Sequence, residues 1–445
     1  MMSKKLHVVV GLGVTGLSCV RFLREQGIPV AVTDTRENPP SLIELRTLYP
    51  DVPVSLGQLD EKLLQKAETL VVSPGLSIKE PAIAKQATRG IPVIGDIELF
   101  AQAVRSPIIA ITGTNAKSTV TTLVGKMAEM AGLRVQVGGN LGIPALDLLT
   151  PATPPELFVL ELSSFQLETT FSLRPRVATV LNVTPDHMDR YANLREYQLA
   201  KHRVYQNAEV VVCNRDDPLT DCTEKVATKY YFTLHTPQMN EFGLMQRNRE
   251  YYLAFKNQIL MPVSELPILG RHYQANALAA IALGYGFGLP MSSMIDTLRM
   301  FKGLPHRCQL VRERRGIRWY NDSKGTNVGA TLAAIEGLGG VIQGKLILIA
   351  GGVGKNADFS PLVPVLEKYV KQVVLIGEAS TVLADVMGDR IPHCFANDMQ
   401  QAIAMADQLA EEGDSVLLSP ACASFDMFKN FEHRGDVFVK LVEAL

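Results

Sequence analysis

Residues 112–119 read TGTNAKST, a glycine turn followed by a lysine and two hydroxyl side chains. These residue types suit phosphate chemistry. Lys117 would reach the β- and γ-phosphates of a nucleotide, and Ser118 or Thr119 would face a Mg²⁺ ion. The common phosphate-loop pattern, G-x-x-x-x-G-K-[ST], asks for glycine at positions 111 and 116, where this chain has Ile111 and Ala116. Gly113 still permits one unusual backbone angle, whereas a Cβ at Ala116 disfavours positive φ. If position 116 needs the left-handed region, alanine costs about 1 kcal/mol there, little beside the energy of binding a metal-chelated triphosphate. Without a nucleotide, the stretch is a Ser/Thr-rich helix start.

A second glycine turn, Gly11-Leu-Gly13-Val-Thr-Gly16, follows a strand and opens a helix, with Asp34 ending the next strand. Such a turn brings backbone N–H groups to a diphosphate. NAD and UDP both carry one, and Asp34-Thr35-Arg36 suits either a ribose hydroxyl or a phosphate. Glycines serving only tight strand–helix packing are the plain alternative. Glu161 closes the apolar run FVLE, at the strand end where α/β sites lie; a solvated edge glutamate is the alternative. Asp186-His187-Met188-Asp189 sets an imidazole between carboxylates, which by itself reads as a structural or acid–base histidine.

These groups need a scaffold, and the chain supplies one. Continuously apolar strands such as HVVV, IIAIT, FVLE, VATV, LILIA and SVLL alternate with helix-like stretches, the pattern of parallel sheets covered on both faces. With 445 residues, the expectation is three α/β domains: 1–95, 96–303 and 304–445. The first and last read as Rossmann-like, the middle as a P-loop-type ATPase domain with a mostly parallel sheet. Residues 228–268 have strand and turn composition without helices, which predicts a small antiparallel insertion.

Composition excludes several classes. The chain is 47% hydrophobic and 20% charged with a formal net charge of −1, and it has no long basic run, so nothing points to nucleic acid as a partner. No apolar run approaches the roughly 18 residues of a membrane span. The start, MMSKKLHVVVGLG, has no cleavage-site pattern, and the six cysteines form no C-x-x-C pair. Reduced thiols in a cytoplasmic protein are expected.

T-G-T-N-x-K-S-T resembles the loop of the Mur ligases, whose usual form has glycine at the position of Ala116. Further matches run in order: GGNLG (138–142), ELSSFQL (161–167), NVTPDHMDRY (182–191), LAKHR (199–203), GRHYQANALAA (270–280), LPHR (304–307), NDSKGTN (321–327), GGVGK (351–355) and SPACASFDMFKNFEHRG (419–435). Together they cover almost the whole chain. GLGVTGLS with DTR, and the C-terminal run, resemble the member that adds D-glutamate to UDP-N-acetylmuramoyl-L-alanine. The resemblance implies an amide bond formed with ATP through an acyl phosphate, with release of ADP and phosphate. It also implies two Mg²⁺ ions, with Mn²⁺ as a substitute, and a role in making peptidoglycan precursors. A monomer is expected.

Residue by residue, the resemblance makes Gly113, Thr114, Asn115, Ala116, Lys117, Ser118 and Thr119 the ATP loop. Asn276 would contact the adenine, Arg307 the β- and γ-phosphates, Asp322 the ribose, and Lys324 the phosphates. Ser118, Glu161 and His187 would be metal ligands, joined by Lys201 as a carbamate. By itself Lys201 looks like an ordinary surface-helix lysine. Imidazole is an unusual ligand for Mg²⁺, which prefers oxygen, as a carbamate supplies. The UDP end would use Thr15, Thr35, Arg36, Gly75 and Asn140, with His187 nearby. Thr326 and Lys355 would hold the α-carboxylate of D-glutamate, and Ser424 and Phe431 its side chain. Lys117 and Lys324 fall in different predicted domains, so catalysis should require closure. Tyr273 and Val353 stand where the family often has asparagine and aspartate.

An NAD-dependent dehydrogenase accounts for GLGVTG and Asp34 but not for TGTNAKST or the acid–histidine cluster. A nucleotide-binding scaffold needs the loop but not Glu161, His187 and Lys201 together. Sister activities, the L-alanine-adding ligase and folylpolyglutamate synthetase, share the ATP site and should differ in the first domain or in SPACASFDMFKNF.

Overall fold

The computed structural model describes residues 5–149, 153–268 and 270–445, and shows three sheets. In the first sheet β1 (His7–Val10), β2 (Val30–Thr33), β3 (Val54–Ser55), β4 (Thr69–Val72) and β5 (Val93–Ile94) are all parallel, in the order β3-β2-β1-β4-β5. The order reverses beside β1, and a doubly wound sheet opens its crevice at the strand C-termini there. Gly11 and Gly16 hold that turn. Gly11 has φ +96, and a Cβ on Gly16 would lie 2.0 Å from the Gly11 carbonyl oxygen.

The second sheet contains β6 (Ile108–Thr112), β7 (Val135–Gly139), β8 (Leu157–Glu161), β9 (Val177–Val180), β10 (Val210–Asn214) and β11 (Thr228–Phe232), again parallel. β6 lies between β8 and β9, with Ile111 opposite Glu161 and Thr112 opposite Val180. The loop that leaves β6 therefore has the ends of β8 and β9 on its two sides. β6, β8 and β9 are buried along their whole lengths, which explains their unbroken apolar runs.

The antiparallel part is β12 (Glu241–Arg247), β13 (Glu250–Phe255) and β14 (Gln258–Pro262). It begins later than the composition predicts, because Thr228–Phe232 pairs parallel with β10. The connection from Asn214 to Thr228, with one 3₁₀ turn, is about the dozen residues that a parallel return needs.

The third sheet has the order β15-β16-β20-β17-β18-β19. Its strands are β15 (Gln309–Arg314), β16 (Ile317–Asn321), β17 (Leu346–Gly351), β18 (Val370–Ile376), β19 (His393–Phe395) and β20 (Ser415–Leu418). β15 is antiparallel to β16, and the others are parallel. Along β17, Leu346, Leu348 and Ala350 enter one buried cluster while Ile347 and Ile349 enter another. Both faces are therefore covered. By contact density the chain forms two compact units, one of residues 1–183, 195–232 and 279–297, the other of 184–194, 233–278 and 298–445. No described helix is long and apolar enough to cross a membrane.

Candidate functional site

The loop after β6 turns into the helix Lys117–Met130, and Ala116 caps that helix at φ 66 and ψ −5. Position 116 thus does require the left-handed region, and alanine occupies it. Gly113 has φ +154, and a Cβ there would lie 3.0 Å from Leu181 Cβ. Lys117 Nζ donates to the carbonyls of Gly113 and Thr114, each at 2.9 Å. Lys201 Nζ donates to the same Gly113 oxygen at 2.8 Å. Two side-chain nitrogens, 84 positions apart in sequence, converge on one carbonyl because the helix Leu194–His202 delivers Lys201 beside the loop. Lys201 is 1% exposed and sits 4.3 Å from the Tyr197 ring. A surface-helix lysine it is not.

Glu161 ends β8 beside the loop and is 3% exposed. Its Oε1 accepts from Asn140 Nδ2 at 2.7 Å, and its carbonyl accepts from Asn140 N at 2.8 Å. This close approach explains Gly139, at φ +98, where a Cβ would meet the Glu161 oxygen at 2.5 Å. Glu161 Oε2 is buried and accepts no hydrogen bond. A buried carboxylate oxygen without a donor is costly unless a cation satisfies it. Among the described residues no three His, Cys, Asp or Glu side chains form a metal cage. A Mg²⁺ site needs only one or two carboxylates, the rest of its shell being phosphate oxygens and water. Ser118, buried at the helix start, supplies a hydroxyl on the same loop.

Thr15, Thr35, Arg36 and Gly75 line one cavity of about 350 Å³ at the ends of β1, β2 and β4. Asn140 is not part of it; its side chain serves Glu161. Asp34, 1% exposed, is fully engaged: Oδ2 accepts from Leu12 N at 2.6 Å and from Arg36 at 2.7 Å. Oδ1 accepts from Arg36 N and Nε at 2.8 and 2.9 Å. Burial alone would raise this carboxyl, but the bonds from Arg36 and the Leu12 amide bring it below the ordinary range. A carboxylate so occupied has no oxygen left for the two hydroxyls of an NAD ribose. Its bonds fix the Arg36 guanidinium and the Leu12 amide in place.

The second unit has its own cavity, about 390 Å³, lined by His187, Thr326 and Lys355 together with Asp186 and Asn327. Asp186 is the centre of the cluster. It accepts from His187 N at 2.9 Å and from Asn327 Nδ2 at 3.2 Å, and its oxygens lie 3.6 Å from His187 Nε2 and 3.7 Å from Lys355 Nζ. His187 is held at φ 58. Asn327 also caps the helix Val328–Gly339 through Ala330 N. The importance of Asn327 was not legible, since only the fold sets it against Asp186. Ser424 is buried and lies outside this cavity. Its neighbour Ala423 pairs in both directions with Val353, which ties GGVGK to SPACAS.

Asp322 follows β16 and is buried, accepting from Ser419 Oγ at 2.7 Å and Cys308 N at 3.1 Å. Burial pushes its carboxyl up to about 6 against the pull of Ser419, Cys308 and the Arg307 charge. Lys324 Nζ lies 3.5 Å over the Phe431 ring, so that aromatic face holds a cation. Asn276 is half-buried on the helix Arg271–Phe287. Tyr273, three residues earlier, is buried and stacked on Phe301.

Three family models match in order: the Mur ligase MurD-like N-terminal domain over residues 5–95, the Mur ligase middle domain over 111–284, and the Mur ligase glutamate ligase domain over 306–422. The UDP-N-acetylmuramoylalanine–D-glutamate ligase of Pseudomonas syringae pv. tomato is 55% identical over 444 residues, covering 100% of this chain and 99% of that one. Those of Pseudomonas aeruginosa and Coxiella burnetii are 53% and 52% identical, with 100% of this chain covered and 99% and 100% of theirs. Among solved structures, a MurF ligase from Thermotoga maritima in complex with ADP has a TM-score of 0.62 at 16% identity, covering 100% of this chain and 96% of its own. A pseudomurein peptide ligase type C from Methanothermus fervidus has 0.62 at 17%, with 99% of each covered. At such identities these structures attest to the fold alone. Matched domain by domain and along its full length, the chain belongs to the Mur ligase family.

Proposed function

We propose that this chain is an ATP-dependent ligase that joins D-glutamate to UDP-N-acetylmuramoyl-L-alanine, releasing ADP and phosphate, in peptidoglycan precursor synthesis. The observation that carries this reading is the likeness to D-glutamate ligases at 52–55% identity over the whole chain, first and last domains included. Those are the domains in which sister ligases should differ. The UDP group enters the cavity of Thr15, Thr35, Arg36 and Gly75, where Asp34 aims the Arg36 guanidinium at an anion. The ATP phosphates lie on Gly113–Thr119, with Lys117 neutralising charge as it moves to the leaving ADP. By the family resemblance Asn276, Arg307, Asp322 and Lys324 serve the nucleotide. D-Glutamate is held by Thr326 and Lys355, with Ser424 and Phe431 at its side-chain end.

Ser118 and Glu161 would hold Mg²⁺ or Mn²⁺, with His187 and a carbamylated Lys201 completing two sites. When bound, the metal neutralises charge on the phosphates and the acyl phosphate. A carbamate on Lys201 keeps one N–H, which can continue to donate to Gly113 O. It also replaces a cation beside Lys117 by an anion. The family resemblance implies a cytoplasmic monomer.

The test is phosphate release from ATP and Mg²⁺ with UDP-N-acetylmuramoyl-L-alanine, adding D-glutamate, L-glutamate or neither. Release that requires D-glutamate and the UDP substrate is expected. Lys117→Ala should reduce it by at least about 100-fold. Release with another amino acid or acceptor would move the chain to a sister activity.

A further inference from the structure

The end of β9 does more for the phosphate loop than its sequence announces. Past β9 the chain continues along β6, with Leu181 N donating to Thr112 O at 2.9 Å. One residue on, Asn182 meets the loop at three points. Thr114 N donates to the Asn182 carbonyl at 2.9 Å, Asn115 N donates to its Oδ1 at 2.8 Å, and its Nδ2 donates to Asn115 O at 3.1 Å. The last two bonds close a ring in which one carboxamide answers both the N–H and the C=O of Asn115, as a neighbouring strand would.

The next residue is Ala116 at φ 66. A non-glycine residue stays in the left-handed region only where its surroundings over-determine it. The surroundings here are asymmetric. After Ala116 the helix fixes the chain, and before it the carboxamide of Asn182 does. We propose that Asn182 is a positioning residue that holds Thr114–Ala116 in the phosphate-gripping conformation, the task that glycine at 116 eases in the usual pattern. This deepens the ATP reading above and rests on it.

The experiment measures equilibrium binding of Mg²⁺–ADP, with thermal unfolding in parallel, for the native chain, Asn182→Ala, Asn182→Ser, Ala116→Gly and the Asn182→Ala/Ala116→Gly pair. Loss of Asn182 should weaken ADP about tenfold while the unfolding temperature stays near native. In the Asn182→Ala background Ala116→Gly should recover part of the loss, by more than its effect in the native chain, because glycine enters the left-handed region without the Cβ penalty. That non-additivity is the signature of a clamp. Unchanged affinity in both Asn182 variants, or strictly additive effects, would overturn the clamp while leaving the nucleotide reading intact. A native chain that does not bind ADP would overturn both. Should the Asn182 variants not fold, amide exchange in the unmutated protein decides: the Thr114 and Asn115 amides should exchange slowly without nucleotide, and fast exchange would refute the proposal.

Discussion

The two glycine turns solve one problem by different means. After β1, Gly11 and Gly16 let the backbone close up, and a charged side chain, Asp34, fixes the loop by accepting from Leu12 N. After β6, alanine takes the left-handed position and a neutral side chain, Asn182, holds the loop through both an N–H and a C=O. The first turn is shaped mainly by the absence of side chains, the second by the presence of one. A glycine in a phosphate loop is therefore a means rather than a requirement. A charged brace also ties its loop to pH, which a carboxamide does not.

Breaking the first turn at its tightest point should give the largest effect. In Gly16→Ala the new Cβ falls 2.0 Å from a backbone oxygen that cannot step aside. A loss of about 3 kcal/mol or more is expected by urea unfolding, together with loss of binding of the UDP substrate. Asp34→Asn should cost about 2 kcal/mol at neutral pH, since the bonds from Leu12 and Arg36 lose their charge. The Asp34 carboxyl is depressed in the folded protein. Its contribution is therefore present above the ordinary carboxylate pKa and lost as pH falls below it, and urea unfolding of the variant should lack that acid-side loss.

Asp96 makes the opposite case. It begins a helix beside Gln166, fully buried, and burial raises its carboxyl to about 6 despite the bonds from Gln166 and the Ile97 amide. A group raised on folding stabilises below its unfolded pKa of 3.8 and loses that contribution as pH climbs through about 6. Asp96→Asn should accordingly be more stable than the native chain at pH 7.5, by about 1–3 kcal/mol, and the difference should shrink toward pH 4. A difference independent of pH would show that the buried carboxylate is not the cause.

The smallest effect belongs to Gly13. A Cβ there meets nothing within 4 Å. Gly13→Ala should leave the unfolding temperature within about 2 °C and, on the proposed reading of this cavity as the UDP site, still weaken the UDP substrate, because the new Cβ fills space that a diphosphate would need. An unchanged affinity would mean that the ligand does not approach this close.

The order of strands and helices was legible because continuously apolar runs and glycine turns are local signals that need no partner to be read. The phosphate loop announced itself by type and spacing, whereas Thr15, Gly75, Thr326 and Lys355 were named only through the family resemblance. The antiparallel segment was placed too early, because a strand's direction is set by where its connection returns and not by its composition. Lys201 carried no local signal at all. In REYQLAKHR it looks solvent-facing, and only the packing of its helix against the loop after β6 buries it.

The sequence by itself determined the α/β class, the phosphate chemistry and the family resemblance. These depend on residue identity and short spacing, which a chain carries wherever it is folded. Tertiary structure alone decided that Ala116 must be left-handed, that Asp34 is occupied by Arg36 rather than open to a ribose, and that Asn140 serves Glu161. The same holds for Asn182, Asn327 and the buried Lys201. Each of these facts rests on contacts between residues far apart in the chain, or on a backbone angle imposed by such contacts. No local pattern encodes a distance between strands until the sheet has set it.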